Sequence, residues 1–255
     1  MFDFILFWAL VGFLAQLVDG ALGMGYGVSS TTALVSIGVY PALASASVHT
    51  AEIFTTFVSG NCHFKLGNVR RDIILPLAIP GVVGGITGAF ACSSLPSGLL
   101  KPIVASVLLV MGLIILSKFA FRRVLLFRKE RPSSKMLIPL GYIAAFFDAL
   151  GGGGWGPIAT TTLVTNKVNP SKAIGSVNFA EFFVTLAEAI TFMILIGPEQ
   201  YSWEIVLGLI IGGVICAPIA ALLCKRVPHG ILGTIVGATV VLLSARTILM
   251  FFNVL

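Results

Sequence analysis

The sequence predicts an all-α integral membrane protein built as an inverted repeat, each half a broken or re-entrant pair of short helices followed by three transmembrane helices. Three observations predict it: scarcity of charge, an internal duplication, and opposite charge in equivalent loops. Hydrophobic residues make up 57% and charged residues 10% of the 255, at a mean hydropathy of +1.04, whereas a globular chain carries roughly a quarter charged residues. Residues 19–56 recur at 148–185 without a gap, and 17 of the 38 paired positions are identical at an offset of 129. Further on, Gly81, Pro96 and Gly98 match Gly213, Pro228 and Gly230 at an offset of 132. Duplication in an apolar chain is a mark of transporters.

The elements follow in order. A first repeat covers 1–121, a basic cytoplasmic linker 122–135, and a second repeat 136–255. Asp3 replaces a basic region at the start and no small-residue cleavage site follows the apolar run 5–18, so the first segment is expected to stay in the mature protein. Apolar runs long enough to cross about 30 Å of hydrocarbon lie at 44–62, 73–92, 99–121, 171–196, 205–224 and 231–251. Segments 136–147 and 157–166 are near half that length and read as two arms of a hairpin turning at 151–154. In the first half, 4–18 descends, 20–27 turns and 28–37 returns.

Charge sets the orientation. Loop 65–71 holds Lys65, Arg70 and Arg71, while its counterpart 197–204 holds Glu199 and Glu204. Loop 93–101 has only Lys101, while its counterpart has Lys225 and Arg226. Basic loops face the cytoplasm, so each loop and its copy are expected on opposite sides, which favours inversion over the rival model of eight spans in two parallel halves. Inversion needs an odd number of crossings per half, or a re-entrant pair plus three spans. The hairpin then enters after Arg131 and Lys135 and returns near Lys167 and Lys172, leaving only Lys101 and Arg246 of the 16 basic residues away from the cytoplasmic face. Ten helical segments of unequal length cover either form of the broken pair. The net charge of +6 sits in short loops, so nucleic acid is not an expected partner. Cys62, Cys92, Cys216 and Cys224 lack ligand spacing and read as small apolar fillers.

The two turns carry the candidate site. Backbone leaves helical form inside a membrane only where protein or a wet cavity encloses it, and glycine lets backbone approach a ligand closely. Gly23, Gly25 and Gly27 match Gly152, Gly154 and Gly156, with Gly153 completing the second run. New helices start at Val28 and Pro157, and their free amides attract anions. Ser29, Ser30, Thr31 and Thr32, with Thr160, Thr161 and Thr162, add hydroxyl donors. The expected substrate-binding set is therefore Gly23, Gly25, Gly27, Ser29, Ser30, Thr31, Gly152, Gly153, Gly154, Thr160 and Thr161, with His49 and Asn178 one helical turn from the carboxylates.

Carboxylates in a membrane are functional candidates by default. Glu52 and Glu181 occupy equivalent positions and are the candidate proton-coupling pair, since desolvation favours a neutral carboxyl; a buried structural hydrogen bond is the competing role. Asp19 and Asp148 precede the turns and are expected to cap their amides. His49 has no copy in the second half. Arg246 is expected to snorkel to the outer surface, with charge compensation or pairing to Glu188 as its other roles.

The strings GALGMGYGVSSTTALVSIGVYPALASASVHTAE and ALGGGGWGPIATTTLVTNKVNPSKAIGSVNFAE resemble the sulfite exporter TauE/SafE family: a glycine-rich turn, a short helix, a proline and a small-residue helix start. The likeness covers essentially the whole chain and is more specific for family than for substrate. Tyr26 interrupts the glycines, and Val28 stands where the family often has proline. The resemblance implies a secondary transporter exporting sulfite, an organosulfonate or a related sulfur anion across a bacterial inner membrane, without an ATPase domain. A passive anion channel on the same inverted repeat is the alternative. An enzyme is not expected, because no paired catalytic motif, metal-ligand spacing or cofactor signature occurs. The expected partners are a small anionic substrate and the lipid bilayer; no cofactor or metal is implied, and a homodimer is compatible with the sequence.

Overall fold

A computed structural model describes residues 2–120, 132–224, 226 and 229–253, and these form ten α-helices and no strand. The first repeat contributes α1 (Phe2–Leu22), α2 (Tyr26–Ser36), α3 (Pro41–Lys65), α4 (Arg71–Ser94) and α5 (Ser97–Ala120). The second contributes α6 (Ser134–Gly151), α7 (Thr161–Thr165) behind a π-helical turn (Gly156–Thr160), α8 (Pro170–Ile196), α9 (Trp203–Leu223) and α10 (His229–Phe251). Prolines at the first positions of α3 and α8 suit a helix start, where the missing N–H has no partner to lose. Apart from residues 132–135, the expected basic linker 122–135 lies outside the described residues, as do Lys225 and Pro228.

The repeats interlock. α1 packs on α9, and its counterpart α6 packs on α4. Small residues permit this, because helices in lipid associate through close backbone packing. Gly12 lies against the Leu209 backbone and, at the equivalent place, Gly141 lies against the Leu77 backbone. Gly81 touches Val184 and Trp155, while its counterpart Gly213 touches Thr55 and Tyr26. Both cross-repeat pairs run parallel: Gly208 meets Trp8 and Gly20 meets Ala220, as Leu77 meets Gly141 and Gly88 meets Phe146. The equivalent helices α3 and α8 run antiparallel, Phe57 meeting Phe182 and Phe64 meeting Phe179. So do α5 and α10, with Gly112 against Val240 and Gly237 against Leu116.

One expectation needs correction. The first arms of the broken pairs are not half-length: α1 runs 21 residues and α6 runs 18. The helices continue past Asp19 and Asp148 because glycine costs a helix only about 1 kcal/mol, and the chain reverses only where φ turns positive, at Gly23 (68°) and Gly152 (70°). The six helices that length and composition mark as able to cross a membrane are α1, α4, α5, α8, α9 and α10; the expected run 44–62 is more polar than these. It lies in α3, whose polar face from Ser45 to His63 is buried in the bundle. Outward-facing apolar side chains such as Ile194 and Leu242 fit contact with lipid in this multi-pass membrane protein.

Tight backbone contact at Gly212 gives a test of the α1 and α9 pairing, since a Cβ there would strike the Ala9 carbonyl. Gly212→Leu is expected to lower stability by about 1–3 kcal/mol or more. Gly98→Ala, with open space around it, is expected to stay within about 0.5 kcal/mol of the parent. Thermal unfolding in detergent reads both; equal melting of the two variants would contradict the packing.

Candidate functional site

The two chain reversals meet at the centre. Gly23 and Gly152 end α1 and α6 in the left-handed conformation, each N–H returning to the carbonyl of Asp19 or Asp148, at 2.6 and 2.5 Å. The Asp148 Oδ1 accepts the Trp155 N–H at 3.0 Å, bridging the reversal. Asp19 holds the equivalent place beside the Tyr26 N–H and the Asn178 side chain.

Each reversal is fastened to the other. The Thr31 hydroxyl donates to the Gly152 carbonyl at 2.8 Å, and its counterpart Thr160 donates to the Gly23 carbonyl at 2.5 Å. These bonds satisfy carbonyls that would otherwise be left unpaired in an apolar interior. Gly27 lies against the Gly152 carbonyl, and Gly156 lies against the Gly23 carbonyl, so any side chain at either position would push the turns apart. Tyr26 and Trp155 anchor the outer side, donating to the carbonyls of Leu209 at 3.0 Å and Val177 at 3.2 Å.

Between the turns lies a small pocket lined by Asp19, Gly25, Gly27, Val28, Glu52, Asp148, Gly153, Gly156, Pro157 and Glu181. Of the expected substrate-binding residues, Gly25, Gly27 and Gly153 line it, together with both glutamates and both aspartates. Thr31 and Thr160 lie just behind, their hydrogens committed to the turn lock. Gly23, Gly152, Gly154, Ser29, Ser30, Thr161, His49 and Asn178 do not line this pocket. Val28, Gly156 and Pro157 do; the sequence marked the last as a helix start but not as a wall. First-turn amides of α2, at Gly27 and Val28, have no partner within the helix and border the pocket. Among the described residues, no Lys or Arg lines it. The arrangement therefore offers backbone donors ringed by four carboxyl groups.

Behind the pocket sits a polar cluster. His49 Nε2 is 3.0 Å from Glu188 Oε2, 3.5 Å from Asp148 Oδ2 and 3.9 Å from Glu52 Oε2, all four side chains being almost wholly buried. His49 Nδ1 meets the Ser45 carbonyl at 2.7 Å, while the Ser45 hydroxyl donates to the Ala149 carbonyl at 2.7 Å, tying α3 to the last turn of α6. Ligand atoms of His49, Asp148 and Glu188 lie within 4.8 Å of one another. Sequence reasoning placed Glu188 only as a partner for Arg246. Arg246 instead donates to the Ser36 carbonyl at 3.4 Å, and Glu188 faces His49. A second carboxylate in the apolar run of α8, beyond Glu181, was itself the signal that should have singled it out.

The chain is 43% identical over 248 residues to "Probable membrane transporter protein YtnM" of Bacillus subtilis (strain 168), covering 96% of this chain and 83% of that one. It is 27% identical over 207 residues to a "Probable membrane transporter protein" of Haemophilus influenzae, covering 76% and 75%. No solved structure matches. The profile of the family described as "Sulfite exporter TauE/SafE" matches residues 8–247, and the chain belongs to this family of membrane transporters.

Proposed function

We propose that the protein is a secondary transporter that exports a small sulfur-containing anion, sulfite or an organosulfonate, by alternating access, with proton uptake at Glu52 and Glu181. The observation that carries this reading is the pocket between the two interlocked turns, where unpaired amides of α2 meet a ring of carboxyls. The amides give an oxyanion its hydrogen bonds and the positive end of the helix dipole. The carboxyls decide the rest. One ionised carboxylate at about 4 Å from a bound anion repels it by about 4 kcal/mol near a protein surface, and four would defeat the amides. The anion therefore enters with protons that neutralise Glu52 and Glu181, and leaves as they are released.

The family description, sulfite exporter, supports the substrate class, and the two halves support alternating access. The antiparallel course of α3 against α8 and of α5 against α10 is what a twofold axis in the membrane plane produces, and supports an inverted repeat. Two mirror-placed halves can rock about a fixed central pocket and open it to either side in turn.

Two outcomes follow. Single cysteines at Lys65 and Glu199, introduced where Cys62, Cys92, Cys216 and Cys224 have been replaced, are expected to react with an impermeant thiol reagent from opposite sides of the membrane; labelling from one side would remove the inversion. A sulfonate, whose own charge is constant near neutral pH, is expected to bind more tightly as pH falls. Glu52→Gln with Glu181→Gln should flatten that dependence at the high-affinity end. Titration calorimetry on purified protein reads it, and tighter binding at higher pH would refute proton uptake.

A further inference from the structure

The pseudo-twofold relation gives several contacts a sibling, and one pair of siblings differs in whether it can titrate. At the offset of 129, His49 corresponds to Asn178 and Glu188 to Ser59. The structure brings both combinations together: His49 Nε2 lies 3.0 Å from Glu188 Oε2, and the Ser59 hydroxyl donates to Asn178 Oδ1 at 2.6 Å. The second contact is complete in itself, because serine carries the donor and the amide oxygen accepts it. The first is not. A carbonyl only accepts, so the bond to the Ser45 carbonyl commits the hydrogen of His49 to Nδ1. Nε2 then presents a lone pair toward Glu188 and Asp148, which when ionised are acceptors as well. Nε2, Asp148 Oδ2 and both Glu188 oxygens have no hydrogen-bond partner, although their side chains are more than nine-tenths buried.

Acceptors facing acceptors at such distances are costly to bury. Such a cluster becomes stable when a positive particle enters it. We propose that His49 and Glu188 form a second proton-binding site, present in one half of the transporter only, with Asp148 linking it to the pocket; this rests on the anion-transport reading above. The proton comes from the aqueous side to which the pocket is open and returns to the other. It sits on Nε2 or on a Glu188 oxygen and no covalent bond between heavy atoms changes.

The groups that face the pair are known from every helix packed on it. Glu52 approaches from α3, Asp148 from α6 and Glu181 from α8, while Cys92 of α4 and Tyr201, just before α9, lie near the imidazole. Gly85 of α4 closes over Glu188. Among the described residues, no Lys or Arg appears in this set. Because Asp148 both bridges its chain reversal and approaches His49, a change of charge at the pair is felt at the pocket wall.

The sibling contact supplies the variant for the test. His49→Asn with Glu188→Ser copies into the first position the neutral pair that the fold already accommodates at Ser59 and Asn178. Full-length parent and double variant are reconstituted in liposomes, and anion flux and proton flux are measured together under imposed pH gradients, using sulfite and a sulfonate. The variant is expected to keep saturable anion binding and counterflow, and to carry one proton fewer per anion. An unchanged proton-to-anion ratio with normal counterflow would overturn this inference and leave the anion reading intact. Loss of anion binding by the parent protein itself would instead overturn the function proposed above. Metal analysis of the purified parent is the second readout: one equivalent of bound divalent metal, absent from the double variant, would overturn the proton site in favour of a metal ion.

Discussion

Peptide groups that leave helical pairing inside an apolar bundle must find partners, and that constraint shapes the centre of this molecule. Two chain reversals are buried there, and each is satisfied chiefly by the other: a threonine from one donates to a glycine carbonyl of its twin, while an aspartate holds the amide across the turn. The glycines at Gly27 and Gly156 are required by the closeness of this contact, because each faces a backbone carbonyl of the opposite turn. Packing of α1 on α9 and of α6 on α4 then follows, since the helices that end in the turns are held by the other repeat.

The same constraint leaves little room for charge, yet five carboxyl side chains and one imidazole are buried around the turns: Asp19, Glu52, Asp148, Glu181 and Glu188, with His49. Four of the carboxyls obey the twofold relation and line the pocket. Glu188 and His49 break it. On the transport reading proposed above, the symmetric groups serve the holding of an anion, whereas His49 and Glu188 are each found in one half only.

Much of this was legible in the residues. The class, the duplication and the paired glycines could be read because hydropathy and a constant offset are local properties of the string. The positions of the four symmetric carboxyls followed from the same offset. What could not be read depends on geometry between repeats. Thr31 and Thr160 looked like ligand donors, but their partners lie 121 and 137 residues away. α3 read as one apolar run among six, and that its serines, threonines and His49 are turned inward is fixed by contact with α8 and α9. The lengths of α1 and α6 were underread because glycine was taken as a break, when only positive φ at Gly23 and Gly152 ends them.

The exchange of first helices between repeats bears on how the chain is made. α1 has its principal partner in α9, some 200 residues later, and contacts this distant in sequence form slowly because a long loop must close first. Synthesis runs from the amino end, so α1 enters the bilayer early and waits there among lipids until most of the polypeptide has left the ribosome. Its glycine-marked face is meanwhile open to neighbouring proteins, which makes the nascent chain most vulnerable to mispairing during that interval.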